Sequence, residues 1–178
     1  MARNGNRHPW KGLASGAIAG LAASWTMNQF QSGLSKATQQ LKKEHKQQQQ
    51  SSAQQQSGSE SEDSTMRTAE WMSEGVFHRK LSKPQRKKLG PVVHYATGAV
   101  IGAAYGAISE LLPQATTADG ALFGTAVFAG LDELGLWAVH IAGPPTRYPL
   151  SSHAQALASH VVYGMTTETV RRNLRHLW

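Results

Sequence analysis

The stretch Gly12-Leu13-Ala14-Ser15-Gly16-Ala17-Ile18-Ala19-Gly20 decides the fold, because its glycines recur at every fourth position in a run free of formal charge. That spacing places them on one face of an α-helix. The pattern returns in Gly98, Gly102 and Gly106, and again in Gly120 and Gly124. In water each mid-helix glycine costs about 1 kcal/mol relative to alanine, so three such stripes would weaken a soluble helical protein. In lipid the hydrophobic effect does not pull helices together, and small residues let two backbones approach closely. The glycines are therefore read as helix-packing positions of a membrane bundle, with a soluble four-helix protein as the competing reading.

Outward from these stripes, the uncharged lengths define spans. Gly12 to Ser35 gives 24 residues and Leu89 to Ser109 another 21; at about 1.5 Å per residue, each crosses ~30 Å of hydrocarbon. The second run is followed by Glu110 and stopped by Pro113. Gly120 to Ala142 is apolar but carries Asp132 and Glu133 in its middle, and Gly143, Pro144 and Pro145 end it. Tyr148 to Thr167 is again uncharged, with His153, Gln155 and His160 inside it. The expectation is an all-α, four-helix transmembrane bundle with a long, partly disordered polar loop after the first helix. Residues 1–35 form the N-terminal flank and first span, 36–91 the loop, and 92–178 the three further spans and basic tail.

The 178-residue chain has a mean hydropathy of −0.40, an average over unlike segments. Its net charge of +7 suits a nucleic acid or an anionic membrane surface. Placement favours the membrane, because Lys and Arg flank the apolar runs. No basic helix with interleaved aromatics offers a stacking surface for bases, so a nucleic-acid partner is not expected. The absence of cysteine excludes disulfides, thiolate metal sites and cysteine nucleophiles. The first apolar run has no convincing cleavage site and is read as retained.

Residues 36–64, rich in Gln and Ser, cannot bury enough apolar surface to offset chain entropy, and are expected as frayed helix followed by disorder. Residues 65–82 carry Trp71, Met72, Val76, Phe77 and Leu81, spaced either for a short amphipathic helix at the headgroups or for a partly ordered linker.

Ionisable groups in lipid are costly and mark function by default. The candidate intramembrane polar site comprises His94, Tyr105, Glu110, Asp132, Glu133, His140, His153, His160 and Glu168. At ~100° per residue, His94 and Tyr105 share a face, Glu133 and His140 share another, and His153, His160 and Thr167 form a line. Three readings compete. The groups converge on a cleft that passes protons or an ion; or His94 and His160 ligate a haem; or the polar residues hydrogen-bond between helices as structural glue, with Asp132 and Glu133 pairing with Arg147 or a histidine. Structural glue is preferred, and no cofactor or metal is expected. No P-loop, nucleophile elbow, zincin or dinucleotide fingerprint is present in its required context, so an enzyme is not expected. Arg171, Arg172 and Arg175 read as interfacial anchors after the last span.

The spacing from His94 to Tyr105, Glu110 and Pro113, and onward through Pro144-Pro145, His160 and Glu168 to Arg171-Arg172-x-Leu174-Arg175, resembles the YagU-like family of bacterial inner-membrane proteins. The resemblance covers Val92 to Arg175, about half the chain. It implies a multi-pass protein of the bacterial inner (cytoplasmic) membrane with a long loop after the first span and no assigned activity. It implies no catalytic residues, and Asp132, Glu133 and the Gln-rich loop have no counterpart in it. The expected partners are the lipid bilayer and either another membrane protein or a second copy of the chain. Charges near the span ends favour the long loop on the cytoplasmic side, which puts both termini outside.

Overall fold

The structure is a computed structural model that describes residues 8–46, 83–140 and 144–177. Among these residues the chain is all-helical, with no strand. Helix α1 is Pro9–Lys46 and α2 is Lys83–Leu111. A tight turn region, Pro113–Gly120, leads into α3, Ala121–Val127, which continues as a π-helical stretch, Phe128–Gly135, and a last turn, Leu136–Ala138. Helix α4 is Leu150–Leu177. The expected headgroup helix at residues 65–82, and most of the polar loop, lie outside the described residues.

Helices α1 and α2 are antiparallel and pack glycine to glycine. A methyl group added at Gly12, Gly16 or Gly20 would strike the carbonyl of Gly106, Gly102 or Gly98 respectively. The two stripes thus form one seam along which the backbones touch directly. Helix α4 lies antiparallel to α1 on another of its faces, and α3 packs mainly on α4, with Phe123 reaching Tyr105 of α2. The α3–α4 contact repeats the device, with Gly120 against Gly164 and Gly124 against the His160 carbonyl. Gly120 also has φ of +87°, ending a turn in which Ala118 and Asp119 are left-handed as well.

The helices extend past the uncharged runs at their ends. Helix α1 continues eleven residues past Ser35, because Lys36 to Lys46 are good helix formers with no Gly or Pro among them. Helix α2 begins before Pro91, although that proline cannot donate to the Lys87 carbonyl. In the third segment the Leu136 N–H bonds to the Leu131 carbonyl, five residues back, so the helix is wider around Asp132 and Glu133.

Four of the small polar side chains of the interior are satisfied within their own helices. Ser15 donates to the Gly12 carbonyl, Ser109 to Tyr105, Ser159 to Gln155 and Thr167 to Tyr163. A hydroxyl turned back on its own helix occupies little room and needs no partner across the interface.

Candidate functional site

Two polar networks occupy the bundle, one at each end. The first forms where α2 and α4 finish and α1 begins. Glu168, 1% exposed, accepts hydrogen bonds from the Tyr105 hydroxyl (2.9 Å), from Arg171 Nε and Nη2 (2.8 and 2.9 Å), and from Arg172 Nε and Nη2 (3.3 and 3.2 Å). Glu110 is gripped by Arg175 through Nε at 2.6 Å and Nη2 at 3.1 Å, with Arg171 Nη1 3.8 Å away. At the exposed edge Arg172 also donates to Asp119 at 2.9 Å. That bond, followed by those to Glu168, holds the Arg172 guanidinium above its already high ordinary range.

The network is charge-balanced, with three carboxylates and three arginines, and its bonds are charge-assisted. A buried carboxylate would be costly alone, and here it is fully solvated by the protein. The arginines expected to be lipid anchors therefore turn inward onto acids, Arg171 almost completely buried and Arg172 half exposed. The Arg171 guanidinium also sits 6.0 Å from the centroid of the Tyr105 ring.

The second network lies toward the other end. His153 Nδ1 is 2.6 Å from Glu133 Oε1, and its Nε2 is 3.1 Å from the Pro145 carbonyl. Asp132, next in the chain to Glu133, is half-buried, as are His94 and His160. His160 has Nδ1 2.9 Å from the Ala156 carbonyl, and its ring lies 5.8 Å from Phe128. The His94 imidazole reaches the backbone of Ser24 and meets the Tyr95 ring edge-on. Both His94 Nε2 and Ser24 Oγ are buried without a hydrogen-bond partner.

An apolar layer separates the networks. Phe123 stacks on Tyr105 at 4.0 Å and is tilted 6.0 Å from Tyr163. Ala23, Met27 and Ile101 pack in the same cluster as Tyr163 and Phe123, and the Tyr163 hydroxyl donates to the Gly98 carbonyl at 2.7 Å. On its outer side, Ile101, Tyr105, Ile108, Leu122 and Phe123 line an open, largely apolar groove of about 440 Å³.

The nine candidate polar residues therefore divide. Tyr105, Glu110 and Glu168 join the arginine network; Glu133 and His153 pair with each other, while His160 holds to the Ala156 carbonyl and Phe128 and His94 meets Tyr95. His140 joins neither: it is exposed, with φ of +60°, just past the end of the third segment. Its expected alignment with Glu133 presumed a uniform 100° step, which the π-helical stretch interrupts. Tyr105 and His94 share a helix but serve different networks, since eleven residues separate them by about 16 Å of helix.

Sequence reasoning did not single out Gly164, Ser24, Asp119 or Phe123 for these sites. Gly164 has no glycine four residues away to advertise it, and Asp119 becomes an arginine partner only through the left-handed turn. Among the described residues no three His, Asp or Glu side chains come together to hold a metal ion. No family model, curated protein or solved structure matches this chain.

Proposed function

We propose that this chain is a multi-pass protein of the bacterial inner membrane, in which four closely packed helices play a structural or partner-binding part rather than a catalytic one. The observation that carries the reading is an inverted distribution of polarity. The largest fully buried side chains are Glu168, Thr167, Ser15, Ser24 and Ser159, whereas Leu, Ile, Val, Met and Trp side chains stand exposed on all four helices, Val100 by 70%. A soluble domain of this size normally buries its large aliphatic residues; lipid reverses that preference for the outer surface.

Length and hydropathy support the same reading. Lys88–Leu111 and Pro113–Ala138 are each long and apolar enough to cross a membrane, at a mean hydropathy of 1.2. Helices α1 and α4 carry more polar side chains, but Gly12, Gly16, Gly20 and Gly164 and the hydroxyls of Ser15, Ser24, Ser159 and Thr167 lie against the bundle. The residues that carry the YagU-like resemblance also have a physical reason to keep their spacing, since Tyr105, Glu110, Glu168, Arg171, Arg172 and Arg175 belong to one ion-pair network.

The expected partners are the bilayer and either a second copy of the chain or another membrane protein. The test is fractionation after expression: the chain should sediment with membranes, resist alkaline carbonate and require detergent for release. A chain that remains folded and monomeric in plain buffer would overturn the proposal. Co-purification in mild detergent then distinguishes a self-associated bundle from a complex with a defined partner.

A further inference from the structure

We propose that the open groove between α2 and α3 holds one acyl chain of a zwitterionic aminophospholipid, whose phosphate and ammonium are met by Arg172 and Asp119 at the groove's outer end. The inference rests on the membrane reading above and names a ligand for the same bundle.

The groove exists because α3 leans on α4 rather than on α2. Gly120 and Gly124 draw it against Gly164 and the His160 carbonyl, and Phe123 reaches across to stack on Tyr105 at 4.0 Å. With Ile101, Ile108 and Leu122, those two rings line a trough of about 440 Å³, within the ~300–1,000 Å³ of small-ligand sites. Ile108 and Leu122 are about half exposed, so the trough is open to its surroundings.

Its length selects the occupant. The α2 wall starts at Ile101, and the trough ends at the turn residues Gln114 and Thr117, just past the end of the helix at Leu111. From Ile101 to Leu111 is about 15 Å at the usual rise per residue, half of the ~30 Å of hydrocarbon. A helix of a second copy or of another membrane protein would need a face running through the whole slab. A trough that spans one leaflet and stops matches a lipid chain, held by close contact along its sides.

The outer end is polar and is tied to the trough from two sides. The hydroxyl of Tyr105, whose ring lines the trough, donates to Glu168 at 2.9 Å, and Glu168 accepts from Arg172 at 3.2 Å. Along the rim, Thr117 is followed two residues on by Asp119, which accepts from Arg172 at 2.9 Å. Arg172 makes these bonds through Nε and Nη2, and Asp119 through Oδ1. Among the described residues, Arg172 Nη1 and Asp119 Oδ2 have no hydrogen-bond partner, on side chains 50% and 72% exposed. A headgroup carrying both signs fits that pair, its phosphate accepting from the guanidinium and its primary ammonium donating to the carboxylate. A purely anionic headgroup would be repelled by Asp119, and a choline has no N–H to donate.

The experiment is native mass spectrometry of the full chain in detergent, supplied with equal amounts of phosphatidylethanolamine, phosphatidylglycerol and phosphatidylcholine of one chain length. One phosphatidylethanolamine should be retained at least about fivefold over each of the others, the discrimination that one exposed ion pair supplies. Asp119→Asn should cut its lead over phosphatidylcholine to less than about twofold, and Ala104→Trp, which fills the trough, should release all three lipids. Both positions are exposed, so both variants should keep the helical circular dichroism of the unaltered chain, and the loss reads binding rather than folding. Equal retention of the three lipids, a lead for phosphatidylglycerol, or retention unchanged in both variants would overturn the proposal. A dimer that excludes lipid would overturn it too, by assigning the trough to a second copy. A chain that dissolves without detergent removes the membrane reading itself, which is a separate failure.

Discussion

Gly16 of the first helix lies against Gly102 of the second so closely that neither position has room for a methyl group. Along this stripe the backbones, rather than large side chains, form the surface of contact.

Gly102→Leu should therefore separate α1 from α2 and lower the midpoint of thermal unfolding in detergent, with a loss of at least about 3 kcal/mol, the upper range for overpacking a close contact. Gly33→Ala is the matched control. A methyl group there meets nothing within 4 Å, so it should raise helix stability by about 0.5–1 kcal/mol. Differential scanning fluorimetry on both variants checks the contrast.

Glu168→Gln should be among the most damaging isosteric changes in the chain. It removes the negative charge that holds Arg171 in the interior and leaves that buried cation only the longer 3.8 Å contact to Glu110, at a cost of about 3 kcal/mol. Tyr105→Phe deletes one hydrogen bond to the same carboxylate and should cost about 1.5–3 kcal/mol. Unfolding in graded denaturant should preserve that order.

The Glu110–Arg175 pair is bidentate and mostly buried. Glu110→Arg and Arg175→Glu should each destabilise, while the double swap should recover more than either single change alone predicts, a coupling of about 1–3 kcal/mol in a double-mutant cycle. By contrast Arg172–Asp119 lies at the exposed edge. Asp119→Asn should change stability by no more than about 1 kcal/mol, and less at high salt.

The exposed aliphatic face of α2 gives a test in membranes. Val100, opposite the glycine stripe, should face acyl chains, so Val100→Lys should reduce insertion, with a penalty of about 2.5–3.5 kcal/mol at mid-helix depth. A glycosylation-based insertion assay reads this directly.

The glycine stripes and uncharged lengths made the helices legible, because four-residue periodicity in Gly12–Gly20 and Gly98–Gly106 is a local property of the sequence. That the two stripes face each other in register was not, since pairing depends on how α2 returns along α1. The polar residues were legible as a set, but their division was not. Ideal helical phase aligned Glu133 with His140; the π-helical stretch breaks that phase, and Glu133 pairs with His153 across helices instead. The three terminal arginines were recognisable as cations near a membrane edge, yet nothing in their spacing indicated that Glu110, 61 residues before Arg171, and Glu168 would draw them inward.

Helix α1 runs for 38 residues without interruption, about 57 Å at the usual rise per residue. If the helix enters a bilayer as proposed, the oily slab around it is only ~30 Å thick. Roughly half the rod would then stand in water as a stalk, within reach of a soluble protein that never touches the bilayer.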